Sequence, residues 1–172
     1  TAKSDIAAVK DAFPDPLTPD VLYCGYASES SYGASSYLLL RPTGNVLIDS
    51  PRASKPLLKR LRELGGARYM FLSHRDDVAD HAIFARELGC QRILHEADLS
   101  AGTHEVEIVL RGASPVELAP DLLAIPVPGH TRGSTVLLAQ GASSYLFTGD
   151  HLAGDDDATP ATQLEAWRSV CW

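Results

Sequence analysis

A chain of 172 residues with 45% hydrophobic and 22% charged residues is long enough for one domain with a sizeable core. Its formal net charge of -7, from 22 acidic against 15 basic residues with no dense basic run, argues against a nucleic-acid partner. No stretch approaches the roughly 20 apolar residues of a membrane-spanning helix, and Cys24, Cys90 and Cys171 are too scattered for a disulfide framework or a zinc knuckle.

Residues 1–20 contain Pro14, Pro16 and Pro19, which exclude a long helix and predict an arm or linker, with the ordered domain spanning 21–172. Met70 is the only methionine, so Thr1 is not an initiator and the segment reads as a processed product or a piece of a longer chain. Cys24 beside Gly25 reads as a buried small hydrophobe, because no base stands near it in sequence.

Tyr37–Leu40 and Val46–Ile48 are β-prone runs joined by Pro42, Thr43, Gly44 and Asn45, a hairpin pattern. Ser54 is placed to cap a helix in which Leu57, Leu58, Leu61 and Leu64 recur at helical spacing, with Pro56 in its first turn and Gly65–Gly66 as its stop. A buried strand over Tyr69–Leu72, a helix from His81 to Leu88 stopped by Gly89, and a strand at Arg92–Leu94 follow.

After Gly102 the pattern turns to short strands, Val106–Leu110, Val116–Leu118, Leu122–Val127, Thr135–Ala139 and Tyr145–Phe147, which read as a meander. Asp155–Asp157 is a short acidic loop, and Gln163–Arg168 reads as a helix running without a cap into Trp172, as if the C-terminal part were truncated. Strands and helices in this order predict an α/β or α+β layered sandwich.

Three apolar runs end in residues able to hold a metal: Tyr-Met-Phe-Leu into Ser73-His74, Ala-Ile-Pro-Val-Pro into Gly129-His130, and Tyr-Leu-Phe into Thr148-Gly149-Asp150. Strands sharing one sheet edge would aim these side chains into a common cavity. Glycine before His130 and Asp150 permits a tight turn and close approach.

The densest cluster, SHRDDVADH from Ser73 to His81, holds two imidazoles and three carboxylates. Nitrogen and oxygen donors without thiolates suit zinc, iron or manganese. Asp76, Asp77 and Asp80 also fit a plainer role, capping the helix that follows, since acids favour helix N-termini.

The cluster resembles the H-x-H-x-D-H signature of the metallo-β-lactamase superfamily. PGHTRGS (128–134) and FTGDHL (147–152) resemble its second and third metal motifs, and LIDSP (47–51) the strand leading to its early aspartate, here Asp49. The likeness implies the four-layer αββα sandwich. CGYASESSYGASSYLL, FLSHRDDVADH and RILHEAD are similar to the plant, algal and cyanobacterial subgroup whose members can carry a ferredoxin-like domain, which implies the chloroplast stroma, with the cytoplasm as alternative. These residues contain no cysteine set for an iron-sulfur cluster.

The resemblance implies two divalent ions, zinc or iron with manganese as a further choice. His74 and His130 hold the first, Asp80 and His81 the second, and Asp150 bridges them. Both ions would then acidify one water to supply hydroxide, with Asp80 orienting or deprotonating it. Five residues separate His74 from Asp80-His81 where the signature has three, and Asp76 or Asp77 stands in for its second histidine. The last metal histidine of the family has no counterpart before Trp172, which leaves the second ion partly ligated.

His95 in HEAD and His104 are expected outside the ligand set, and His151 as a packed neighbour of Asp150. The leading expectation is a metal-dependent hydrolase acting on a small ester, thioester or related acyl compound. The alternatives are an iron redox protein working with an iron-sulfur module, and a metal-poor scaffold without catalysis.

Overall fold

The computed structural model describes residues 13–26 and 35–152. The expected Gln163–Arg168 helix and the acidic run 155–157 lie outside them. The chain divides into two compact units, Thr1–Leu72 with Asp76–Ile93, and Ser73–Arg75 with Leu94–Trp172.

In the first unit the strands β1 (Asp15–Pro16), β2 (Val21–Tyr26), β3 (Ser35–Leu39), β4 (Val46–Ile48), β5 (Tyr69–Phe71) and the start of β6 (Gln91–His95), whose Leu94 and His95 already belong to the second unit, are hydrogen-bonded in chain order. β1 to β4 pair antiparallel. β4, β5 and β6 pair parallel, so each needs a crossover. The helices α1 (Lys55–Glu63) and α2 (His81–Leu88) supply the two crossovers. The predicted arm thus contributes a two-residue strand to the sheet, because Asp15 and Pro16 lie opposite Tyr23 and Leu22.

Local chemistry explains both helices. Ser54 caps α1, its Oγ accepting from the Leu57 N–H at 3.3 Å, and Leu57, Leu58 and Leu61 form the buried stripe. Gly89 ends α2 in the left-handed region at φ 69°, its N–H donating to the Ala85 carbonyl. Met70, Phe71, Leu38, Leu47, Ile48, Leu61 and Phe84 are fully buried, and Tyr69–Phe71 is buried on both faces as a central parallel strand must be.

The second unit holds β7 (Ile108–Leu110) and an antiparallel meander of β8 (Val116–Ala119), β9 (Leu122–Pro126), β10 (Thr135–Gln140) and β11 (Ser144–Phe147). Its buried face follows period two: Leu122 and Ala124 on β9, Leu137 and Ala139 on β10, Phe147 on β11. Ile108–Leu110, grouped with the meander from sequence, instead follows β6 in strand order. Short apolar alternation identifies a strand, not the sheet it joins. No described helix is long and apolar enough to cross a membrane.

Candidate metal centre

Three of the residues expected as ligands meet inside the second unit. Ser73 and His74 follow β5, and the Ser73 carbonyl accepts from the Thr135 N–H at 2.9 Å, which ties this turn to the start of β10. His130 sits in the turn from β9 to β10. That turn is closed by Val127 N–H to Ser134 O at 2.8 Å, Gly129 N–H to Thr131 O at 3.0 Å and Thr131 N–H to Ser134 Oγ at 2.9 Å.

Asp150 lies in a single 3₁₀ turn, Gly149–His151, after β11. Gly149 has φ 51°, and a Cβ there would overlap Ser73 Oγ and stand 2.7 Å from Ser73 Cβ. Only glycine allows this approach of the two turns.

The His74 and His130 rings stand edge to face with centroids 4.9 Å apart. Asp150 Oδ2 is 3.7 Å from His74 Nε2 and 3.9 Å from His130 Nε2. Both separations exceed hydrogen-bond length. They lie near the edge of a tetrahedron of ligands, about 3.4 Å for bonds of about 2.0–2.1 Å to zinc. Two imidazole nitrogens and a carboxylate oxygen are also the donor types that borderline divalent cations take, so the residues fit the group.

Ser73 Oγ is 2.9 Å from His74 Nδ1, and by accepting the Nδ1 proton it leaves the Nε2 lone pair facing Asp150. His74 is buried, whereas the Asp150 side chain is 40% exposed, which keeps one side of the cluster open to a small molecule. Burial holds the His151 imidazole below its ordinary value, and the charge of neighbouring His130 adds to the effect.

Asp76, Asp77, Asp80 and His81 belong to the first unit. Asp77 is buried, with its carbonyl accepting from the Ser50 N–H at 3.0 Å. Asp80 occupies the cap position of α2 yet makes no side-chain cap bond. Its Oδ2 accepts from the Ala53 N–H at 2.8 Å, and its own N–H donates to Ser50 Oγ at 3.1 Å. Capping therefore does not account for this carboxylate.

His81 is buried, and its Nδ1 stands 3.1 Å from Arg92 Nη1. A guanidinium has donors only, so His81 Nδ1 accepts here and the ring proton resides on Nε2. Asp49 is buried in the same unit at φ 56°, a conformation that aspartate tolerates better than most side chains, with its N–H donating to the Phe71 carbonyl.

The other histidines are engaged elsewhere. His95 joins Gly112 O through Nε2 at 2.9 Å and accepts from the Ala97 N–H through Nδ1, while His104 is exposed and bonded to Ala101 O. Burial pushes the Cys24 thiol up to about 12, consistent with an inert side chain. The sequence offered no signal for Ser73, Arg92 or Asp98 as partners of these histidines and turns, since each depends on tertiary contact.

No family model matches the chain. Among solved structures it is similar to a Cronobacter sakazakii metallo-β-lactamase with a HARLDQ motif, at TM-score 0.60 and 22% identity over 91% of this chain and 73% of that one. It is also similar to a metallo-β-lactamase from Legionella gormanii, at TM-score 0.55 and 20% identity over 92% and 75%. A class B3 di-zinc metallo-β-lactamase from an Alaskan soil metagenome gives TM-score 0.56 and 16% identity over 76% and 59%.

The chain has the metallo-β-lactamase fold, with mixed α/β structure and two sheets. A curated relative, the hydroxyacylglutathione hydrolase of Anaeromyxobacter dehalogenans, is 34% identical over 128 residues, 70% of this chain. The chain spans 48% of that relative's length, about half.

Proposed function

We propose that the chain is a metal-dependent hydrolase acting on a small acyl compound, a thioester foremost. The observation that carries this reading is the convergence of His74, His130 and Asp150 inside one compact unit. The relative at 34% identity supports the thioester class, since an acyl group on glutathione is held through sulfur.

In this reading His74, His130 and Asp150 hold the first divalent ion. Asp80 and His81 serve a second, His81 by exchanging its Nε2 proton for the cation, and Asp76 or Asp77 stands in for the second histidine of the signature. Zinc, iron and manganese all suit the donor set. A cation held there supplies Lewis acidity, polarising a carbonyl and acidifying water near neutral pH.

The chain's own residues do the rest. Asp150 sets a negative charge between two imidazoles, Ser73 holds His74 in the tautomer that offers Nε2, and Gly149 lets the aspartate turn close on Ser73. Asp80 has one oxygen on the Ala53 amide, and its second oxygen is assigned to orienting or deprotonating water. The finer likeness to the plant, algal and cyanobacterial subgroup, with its ferredoxin-like extension and chloroplast address, rests on the sequence motifs alone.

The test is hydrolysis of an S-acyl glutathione and of the matching oxygen ester by chain loaded with zinc, iron or manganese, beside His130→Ala. The reading expects thioester turnover that chelation stops and His130→Ala abolishes. Turnover indifferent to both would overturn it.

A further inference from the structure

Asp98 lies outside the ligand set, at the end of the 3₁₀ turn Glu96–Asp98 that follows β6, and its side chain is only 1% exposed. Its Oδ2 accepts from the Arg75 N–H at 3.1 Å and from the Thr131 hydroxyl at 2.5 Å, and its Oδ1 accepts from the Gly133 N–H at 2.9 Å. Arg75 is the residue after His74, and Thr131 is the residue after His130. One buried carboxylate therefore grips the backbone turn of the first histidine and the turn of the second, and all of these residues belong to one compact unit.

The surroundings are built for that grip. A Cβ on Gly133 would fall 2.6–2.8 Å from Asp98, so glycine is what lets its amide reach the carboxylate. With its proton given to Asp98, Thr131 Oγ1 accepts from the Ser134 hydroxyl, 2.9 Å away, while Ser134 Oγ accepts the Thr131 N–H. Donors and acceptors thus run in one consistent direction from the His130 turn into Asp98. Hydrogen bonds to a buried carboxylate are short and strong, and a fixed outer partner is what orients a ligand.

We propose that Asp98 is a positioning residue that locks the turns of His74 and His130 in register, so that their nitrogens meet Asp150 before any cation arrives. The inference rests on the metal-centre reading above and adds the residue that assembles it. Asparagine at this position keeps the size but offers one acceptor atom and a pair of N–H donors, so it sets donor against donor on one side.

The experiment measures two quantities on the 172-residue chain. The first is amide hydrogen exchange at residues 73–75 and 130–134 in metal-free protein. The second is the affinity for cobalt(II), measured by chelator competition. The variants are Asp98→Asn, Thr131→Val, Thr131→Ser as the hydroxyl-retaining rescue, and Leu122→Ala as a core control of the same unit.

Asp98→Asn is expected to speed exchange at both turns and to weaken cobalt binding by about tenfold to hundredfold per folded molecule. Thr131→Val should follow in part, Thr131→Ser should restore wild-type affinity, and Leu122→Ala should lower stability with affinity unchanged. Wild-type cobalt affinity in Asp98→Asn, or a loss no larger than that of Leu122→Ala, overturns the proposal. A wild-type chain that takes up no cobalt overturns the metal-centre reading instead, whatever the exchange rates show.

Discussion

His74 and His81 stand seven residues apart in one polar run, yet the fold puts them to opposite use. In the second unit, His74 Nδ1 faces a serine hydroxyl able to take its proton, and Nε2 turns toward Asp150. In the first, His81 Nδ1 faces a guanidinium that can only donate, so the proton sits on the far nitrogen. Residue type nominates a ligand, but the partner of the other nitrogen decides whether a lone pair is presented. The acids divide in the same way: Asp150 stands between two imidazoles, while Asp80 is engaged by the backbone of its own unit.

Substitutions can break this contrast. The largest effect is expected from His74→Ala and His130→Ala, each weakening zinc or cobalt binding by more than about 100-fold, beyond what loss of an outer partner costs. Thermal unfolding of the metal-free protein should barely change for His130→Ala, and competition against a fluorescent chelator reads the affinity. Gly149→Ala comes next. Its Cβ meets Ser73 at a positive φ, so it should cost about 1–3 kcal/mol by urea unfolding and lower metal uptake along with stability.

Arg92→Met sharpens the comparison from the other side. Without the guanidinium donor, the ¹⁵N shifts of the His81 ring should move toward the Nδ1–H tautomer, while those of His74 stay fixed. Unmoved His81 shifts would show that Arg92 does not set its tautomer. The smallest effect is expected from Ser54→Ala, which removes the α1 cap and should cost about 1 kcal/mol by urea unfolding with metal affinity unchanged.

How much of this was legible depends on the distance over which each feature is fixed. The two helices announce themselves through Ser54 and Gly89, residues acting within one turn of themselves, and the hairpin through Thr43 to Asn45. His74, His130 and Asp150 were legible because each follows an apolar strand. The sheet joined by Ile108–Leu110 and the pairing of Asp15–Pro16 were not, since strand partners are chosen by packing and not by local pattern. Asp98 was hidden for a similar reason: its donors lie 23, 33 and 35 residues away, and nothing beside it in sequence announces them.

The central claim is that two imidazoles and one carboxylate of the second unit enclose a cation. Anomalous diffraction at the zinc edge from crystals grown with zinc tests it most directly. The account predicts a peak about 2.0–2.2 Å from His74 Nε2, His130 Nε2 and an Asp150 oxygen. A zinc peak confined to surface carboxylates, with none among these three side chains, would contradict it.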